Sequence, residues 1–174
     1  MHPQMKGIRC SIVRGGTSKG IYFLENDLPK EQALRDKVIQ SAFGGVDIRQ
    51  IDGLGGADTL TSKVAIIGPS TREGCDIDYT FGQVSFQAPL VDYKGNCGNI
   101  SAGVGPFAID AGLVAAVEPV TTVRIHLTNT DNVIVAEVPV KDGRACVEGD
   151  FAIDGVPGTG SRITLDFSDT QGAQ

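Results

Sequence analysis

The sequence has no tryptophan, two histidines and only 6% aromatic residues. The two histidines, His2 and His126, lie far apart in the chain, so neither has a histidine partner at metal-ligand spacing. No apolar stretch approaches the length that crosses a bilayer as a helix, which argues against a membrane protein of that kind. A Lys/Arg-rich tract is also missing. Fifteen basic residues face 21 acidic ones, for a net charge of −6, which argues against nucleic acid as a partner. That overall sign leaves an anionic small molecule open, because a site is governed by its local field. The four cysteines, Cys10, Cys75, Cys97 and Cys146, are widely spaced and form no CxxC, which argues against a zinc knuckle or a redox dithiol. No basic-then-apolar leader is visible at the N-terminus, so free thiols in a reducing cytoplasm are expected. There is no GxSxG nucleophile elbow and no GxxxxGK[ST] phosphate loop. The nearest approach to the latter has adjacent glycines, and its Ser62 precedes Lys63.

Glycine, by contrast, is abundant, with 23 residues. It clusters at Gly15-Gly16, Gly44-Gly45, Gly55-Gly56 and between Gly155 and Gly160, which is the punctuation of a strand-rich fold with tight turns. Alternation over residues 5–13 predicts a strand that ends in a turn at Arg14-Gly15-Gly16, with residues 20–24 as the return strand of a hairpin. Residues 29–43 predict an amphipathic helix: Pro29 suits the first turn, Leu34, Val38, Ile39 and Ala42 form a stripe, and Gly44-Gly45 stops it. A glycine-rich loop at 53–58 leads into a stretch, 59–68, that is apolar in its second half. Residues 76–88 alternate Ile77, Tyr79 and Phe81 with polar partners, as a half-buried strand does. Residues 97–114 predict a second helix, apolar nearly all round through Ile100, Ala102, Val104, Phe107, Ala108, Ile109 and Ala111, and therefore enclosed. Residues 120–129 and 133–140 read as a hairpin around Thr130-Asp131-Asn132, and 145–151 and 162–167 as closing strands. The sum is an α+β fold, a curved antiparallel-rich sheet or partial barrel around a central helix. One domain is expected over residues 1–167, with a linker-like or cut end at 168–174.

Three segments carry candidate chemistry. In Asn96-Cys97-Gly98-Asn99-Ile100-Ser101 a cysteine stands at the mouth of an apolar helix, where free amides favour negative charge and the thiolate. Gly98 lets a ligand approach the backbone, and Asn96, Asn99 and Ser101 suit either helix capping or a carboxylate. The plainer alternative for Cys97 is a small buried hydrophobe beside ordinary caps. In Gly55 to Ile67 a lysine, Lys63, lies between a loop rich in glycine and hydroxyls, Ser62 included, and a buried strand. Lost hydration there favours its proton-accepting form. Taken alone, a lysine snorkelling at a strand edge is the better reading of that pattern. In Arg14-Gly15-Gly16-Thr17-Ser18-Lys19-Gly20 two cations and two hydroxyls share one turn. That is either a carboxylate cradle or a hairpin with charges facing solvent. His126 in its alternating strand reads as structural or surface, and Asp76 and Asp78 as a solvated face.

Together, Arg14–Gly20, Gly56–Ala65 and Asn96–Ser101, in that order, resemble the PrpF family of methylaconitate isomerases and 4-oxalomesaconate tautomerases. Ala102–Ile109 and Gly155–Gly160 are similar to it as well. The resemblance implies a diaminopimelate epimerase-like fold, in which two similar halves curl strands around a central helix and the active site lies in the cleft between them. It also implies a cofactor-independent isomerase that moves a proton, by an allylic or keto–enol shift, on a small unsaturated polycarboxylate. Lys63 and Cys97 would be the proton-handling pair, with Lys63 as first choice for base. Arg14, Thr17, Ser18, Ser62, Asn96, Gly98, Asn99 and Ser101 would be the substrate-binding set. This chain would correspond to the first half, and a second half or another copy of the chain would close the cleft. Two other classes stay open: a two-cysteine amino-acid epimerase or racemase, and a non-catalytic half that binds a ligand or a partner.

Overall fold

The computed structural model describes residues 6–170. His2, the start of the first expected strand and the tail at 171–174 lie outside the described residues. Strands β1 (Ser11–Gly15) and β2 (Ser18–Leu24) form the expected hairpin, with Gly15 opposite Ser18. Gly16 turns the chain at φ +52°, where a side chain is disfavoured. The first strand is shorter than its alternation suggested. It is the edge of the sheet, and Cys10 precedes it, exposed, instead of lying in an apolar strand.

Helix α1 (Gln32–Phe43) ends at Gly44 in the left-handed conformation. Ile39 and Phe43 are fully buried, with Val38 and Ala42 packed beside them. Leu34 is 49% exposed, so the apolar stripe is narrower than its spacing predicted at the N-terminal end. This helix is the crossover between β2 and β3 (Lys63–Pro69), which pair in parallel, as a strand–helix–strand connection requires. Next come β4 (Ile77–Val84), β5 (Val91–Asp92), β6 (Val120–Leu127), β7 (Asn132–Lys141), β8 (Arg144–Ala145) and β9 (Thr164–Asp166). The sheet runs β1-β2-β3-β4-β6-β7-β8, with β5 on β4 and β9 on β7. Pairing is mostly antiparallel, and β4–β6 is parallel like β2–β3. The expected strand over 145–151 shrinks to Arg144–Ala145 and one bridge between Phe151 and Gly160. Gly149 and Asp150 suit a strand poorly, and Val147 is 81% exposed, so no face there is buried strongly enough to hold a ladder.

Period-two alternation decides what each face of the curled sheet packs against. Ile21, Phe23, Val64, Ile66 and Val84 face α1. Tyr22, Ala65, Ile67, Tyr79, Phe81, Ile125, Ile134 and Val138 face the other way and enclose the central helix. That helix buries Ile100, Val104, Ala108 and Ile109, as its apolar circumference predicted. At about 1.5–3 kcal/mol for each fully buried side chain of this size, the helix is held by its surroundings and not by its own propensity. It is also broken: α2 (Gly98–Ser101) and α3 (Val104–Asp110) replace the continuous helix expected over 97–114. Pro106 has no N–H to give to Ala102, so it suits the first turn of a new helix and not the middle of an old one. Gly112, at φ +75°, ends the second piece.

Candidate active site

Lys63 opens β3, where alternation places 63, 65 and 67 on the inner face. Gly20 and Gln83 are its register partners on the flanking strands, and the Phe81 ring centroid lies 5.8 Å from Nζ. The lysine is 9% exposed, which is unusual for a residue whose charge ordinarily reaches water. Cys97 is the residue at which α2 begins, in extended conformation at φ −133° and ψ 105°, and is half-buried. Lys63 Nζ lies 3.1 Å from Cys97 Sγ. Two residues from separate elements, brought within hydrogen-bond reach by strand register and helix placement, make an amine–thiol pair that can share or exchange a proton.

The surroundings are close-packed. Gly15 and Gly16 press the β1–β2 turn onto α2, where a Cβ on either would collide with Asn99. Asn99 Nδ2 donates to Thr17 Oγ1 at 3.0 Å, which ties the turn to the first turn of the helix. Beneath the pair are two buried tyrosines that sequence reasoning did not single out. Tyr22 donates its hydroxyl to the Ile100 carbonyl, and Gly103 is glycine because a Cβ there would strike that phenol and Val13. Burial holds both phenols, Tyr22 and Tyr79, well above the ordinary tyrosine range, with charge on Cys97 adding to it at Tyr22 and charge on Tyr22 and then Cys97 at Tyr79, so they stay protonated. Their only sequence signal was alternation, which reads them as core.

The predicted binding residues divide by where they point. Ser18 is buried on the same inner face, two residues before Gly20, and its hydroxyl has no partner among the described residues. Thr17, Gly98 and Asn99 are exposed around the pair. Gly98 has open space beside it, since a methyl added there would meet only the Phe167 ring, at 3.8 Å. Arg14 is exposed and donates from Nε to the Gly16 carbonyl, closing its own turn. The other three are engaged with protein. Ser62 alternates to the opposite face from Lys63 and donates to Gln50 Oε1 at 2.7 Å. Asn96 donates to Thr130 Oγ1 at 2.7 Å. Ser101 donates to the Cys97 carbonyl at 3.0 Å, a bond that fixes the cysteine's backbone and occupies its hydroxyl proton. Of the solvated face expected at Asp76 and Asp78, only Asp76 is exposed; Asp78 is half-buried against the buried His126. Burial raises the Asp78 carboxyl, but hydrogen bonds from Thr71, His126 and Ser70 outweigh it and hold the group below the usual carboxylate range. A cavity of about 560 Å³ lies between β1, α3 and residues 145–163, and neither Lys63 nor Cys97 lines it. The pair lies instead where α2 begins, with Lys63 buried and Cys97 half-buried.

An enclosed helix in a curled α+β sheet, with an amine–thiol pair at its mouth, is the architecture this chain presents. Residues 5–174 match the sequence profile described as PrpF protein, and the chain belongs to that family. It is 64% identical over 173 residues to the 3-methylitaconate isomerase of Eubacterium barkeri, spanning 99% of this chain and 45% of that protein. It is 54% identical over 166 residues to the 4-oxalomesaconate tautomerase of Pseudomonas putida, spanning 95% of this chain and 46% of that protein. Among solved structures, a methylitaconate-delta-isomerase crystal structure superposes with a TM-score of 0.92 at 64% identity, over 94% of this chain and 42% of that one. The chain thus spans a little under half the length of the curated relatives it matches.

Proposed function

We propose that this chain carries the proton-transferring wall of a cofactor-independent isomerase acting on a small unsaturated di- or tricarboxylate. The observation that carries the reading is the 3.1 Å contact between Lys63 Nζ and Cys97 Sγ. The activities for which the relatives are named, methylitaconate isomerisation and oxalomesaconate tautomerisation, supply the substrate class.

A C–H conjugated with a carboxylate is a weak acid, and an enzyme removes its proton by stabilising the dienolate that results. Lys63, as the free amine, takes the proton from carbon. The first-turn amides of Gly98 and Asn99, which have no acceptor within so short a helix, donate to the developing oxyanion. The Ser18 hydroxyl, buried and unpartnered among the described residues, is a further donor to it. The Cys97 thiol then delivers its proton to the far end of the conjugated system, and the double bond moves with the electron pair. The site is left as ammonium and thiolate, and one proton passed from Nζ to Sγ resets it. Because the two groups touch, they address the same face of a substrate, so the shift is suprafacial. A cytoplasmic setting suits this chemistry, because Cys97 must remain a free thiol.

A two-cysteine epimerase is disfavoured by the same contact: such chemistry needs its two acid–base groups on opposite faces of one carbon, and Lys63 would be idle. The remaining length of the relatives, or a second copy of this chain, is the natural partner that would close the cleft over the pair. The test is proton NMR in D2O with a panel of unsaturated di- and tricarboxylates, on this chain and on a version extended to the relatives' length. Deuterium entry at the allylic carbon, lost in both Lys63→Ala and Cys97→Ala, supports the reading. Exchange that survives Lys63→Ala removes the lysine from it, and no exchange with any panel member in the extended protein sinks the substrate class.

A further inference from the structure

His126 plays no part in the proton transfer described above, yet it is only 8% exposed and sits between carboxylates on both sides. Its Nδ1 is 2.8 Å from Asp78 Oδ1, and its Nε2 is 3.0 Å from Asp131 Oδ1. An ionised carboxylate only accepts, and a neutral imidazole has only one N–H. Both contacts are therefore hydrogen bonds only when the ring carries both protons. The charged groups around the ring are Asp78 on β4, Asp131 in the β6–β7 turn and Arg72 in the β3–β4 loop, whose Nη1 reaches Asp131 at 3.1 Å. On its own strand Arg124 stands two residues away, held to the Gly74 carbonyl, with Asp76 accepting from its backbone amide.

What hangs on the Asp131 side is the loop of the candidate proton donor, Cys97. Thr130, next to Asp131, accepts from Asn96, and Asn96 precedes Cys97. Anchors that do not depend on the ring are Asn129, which bonds Phe81 and the Tyr93 carbonyl, Thr128, whose N–H donates to the Tyr79 carbonyl and whose hydroxyl meets that of Thr80, and Arg72, which donates to the Asp131 carbonyl at 2.6 Å. The His126–Asp131 bond is a further anchor, and it depends on the protons of the ring.

We infer that His126 is a positioning residue whose doubly protonated ring latches the β6–β7 turn and, through Thr130 and Asn96, sets the placement of Cys97. Loss of the ring's second proton leaves one N–H, which stays with the shorter and less exposed Asp78 contact, so Asp131 loses His126 and keeps only Arg72. The turn then rests on Asn129, Thr128 and Arg72, and the Asn96–Cys97 loop is held less firmly. The significance of this for catalysis rests on the role proposed for Cys97; the coupling itself does not.

The test follows the His126 ring nitrogens and the amides of Asn96, Cys97 and Gly98 by 15N NMR across a pH titration of this chain. Iodoacetamide alkylation of Cys97 is measured at each pH. Both ring nitrogens should be protonated at the acidic end. The three amides should shift with the same midpoint as the ring, and Cys97 alkylation should change by roughly threefold across it, the size expected for one hydrogen bond. Asp131→Asn is the informative variant. Asn keeps the shape and tolerates the turn's φ of +55°, so the fold is retained. It should abolish the amide response and the step in alkylation, as should Asn96→Ala. A single neutral tautomer throughout, or an unchanged response in Asp131→Asn, overturns the latch. Coupled amides without any turnover in the D2O exchange assay would leave the latch standing and remove only the catalytic reading of Cys97.

Discussion

Consider Gly15→Ala. Gly15 lies in the last position of β1, buried, with a backbone conformation that any residue adopts, so alanine meets no torsional penalty there. Its difficulty is space. A Cβ would overlap the Asn99 carbonyl oxygen and sit 3.0 Å from both the Asn99 carbonyl carbon and Ile100 Cα. These are backbone atoms of α2 and cannot swing aside. To reach the ordinary carbon–carbon separation of about 3.5–4.0 Å, the turn and the helix must part by roughly 0.5–1 Å. Overpacking of this kind costs about 1–3 kcal/mol of stability. The displacement falls on Asn99 and Cys97, and a misplacement near 1 Å can cost on the order of a hundredfold in rate. Gly95→Ala is the matched control: it lies in the loop that leads to Cys97, its backbone is not left-handed, and nothing stands within 4 Å of the added methyl. Urea denaturation of both variants, with D2O exchange in the extended protein, gives the comparison. Should Gly15→Ala match Gly95→Ala in both stability and exchange rate, the idea that the glycine turn positions the helix start is wrong.

Ser62→Ala should lower stability by about 0.5–1.5 kcal/mol in urea denaturation, because Ser62 donates to the buried Gln50 Oε1, which still accepts from the Ala57 N–H once the hydroxyl is gone. Its substrate KM should hardly move, since the hydroxyl faces away from Lys63; a large rise in KM would restore it as a binding residue. Asp78 ionises more readily in the folded chain than in the unfolded one, so its contribution is fully present above about pH 3.9 and is lost as pH falls below that. Asp78→Asn should flatten the acid limb of a Tm-against-pH curve, and an unchanged limb would mean that other carboxylates set it. Tyr22, Tyr79 and Tyr93 are all raised, chiefly by burial, so the stability they contribute is intact below about pH 10 and declines as pH climbs beyond it. A spectrophotometric titration should show no tyrosinate in the native chain near pH 10, appearing only as the protein unfolds. A normal phenol titration there would show that these side chains are less enclosed.

The pieces of this protein that announced themselves were those whose physics is local. Alternation marked the strands, an apolar circumference marked the enclosed helix, and glycine pairs marked the turns at Gly16 and Gly44. Cys97 was legible because a thiol at a helix start among polar residues is chemically unusual. The break at Ala102-Gly103 was also within reach, since Pro106 forbids a continuous helix, but the apolar run concealed it. Lys63 was different. Composition and spacing alone favoured a solvent-seeking lysine, and only the ordered set of motifs moved it into the site.

By itself the sequence determined which residues face inward, because period and polarity are properties of neighbours along the chain. It could not determine which inward residues meet. Lys63 and Cys97 are 34 positions apart, and their contact depends on the parallel register of β2 with β3 and on where the enclosed helix comes to rest. The same reason explains why Ser62, Asn96 and Ser101, all plausible ligands by type, turned out to hold Gln50, Thr130 and the Cys97 carbonyl. It explains as well why His126, an ordinary residue of an alternating strand, lies between two carboxylates. Side-chain partners across strands are chosen by register and packing, which exist only once the sheet has closed around its helix.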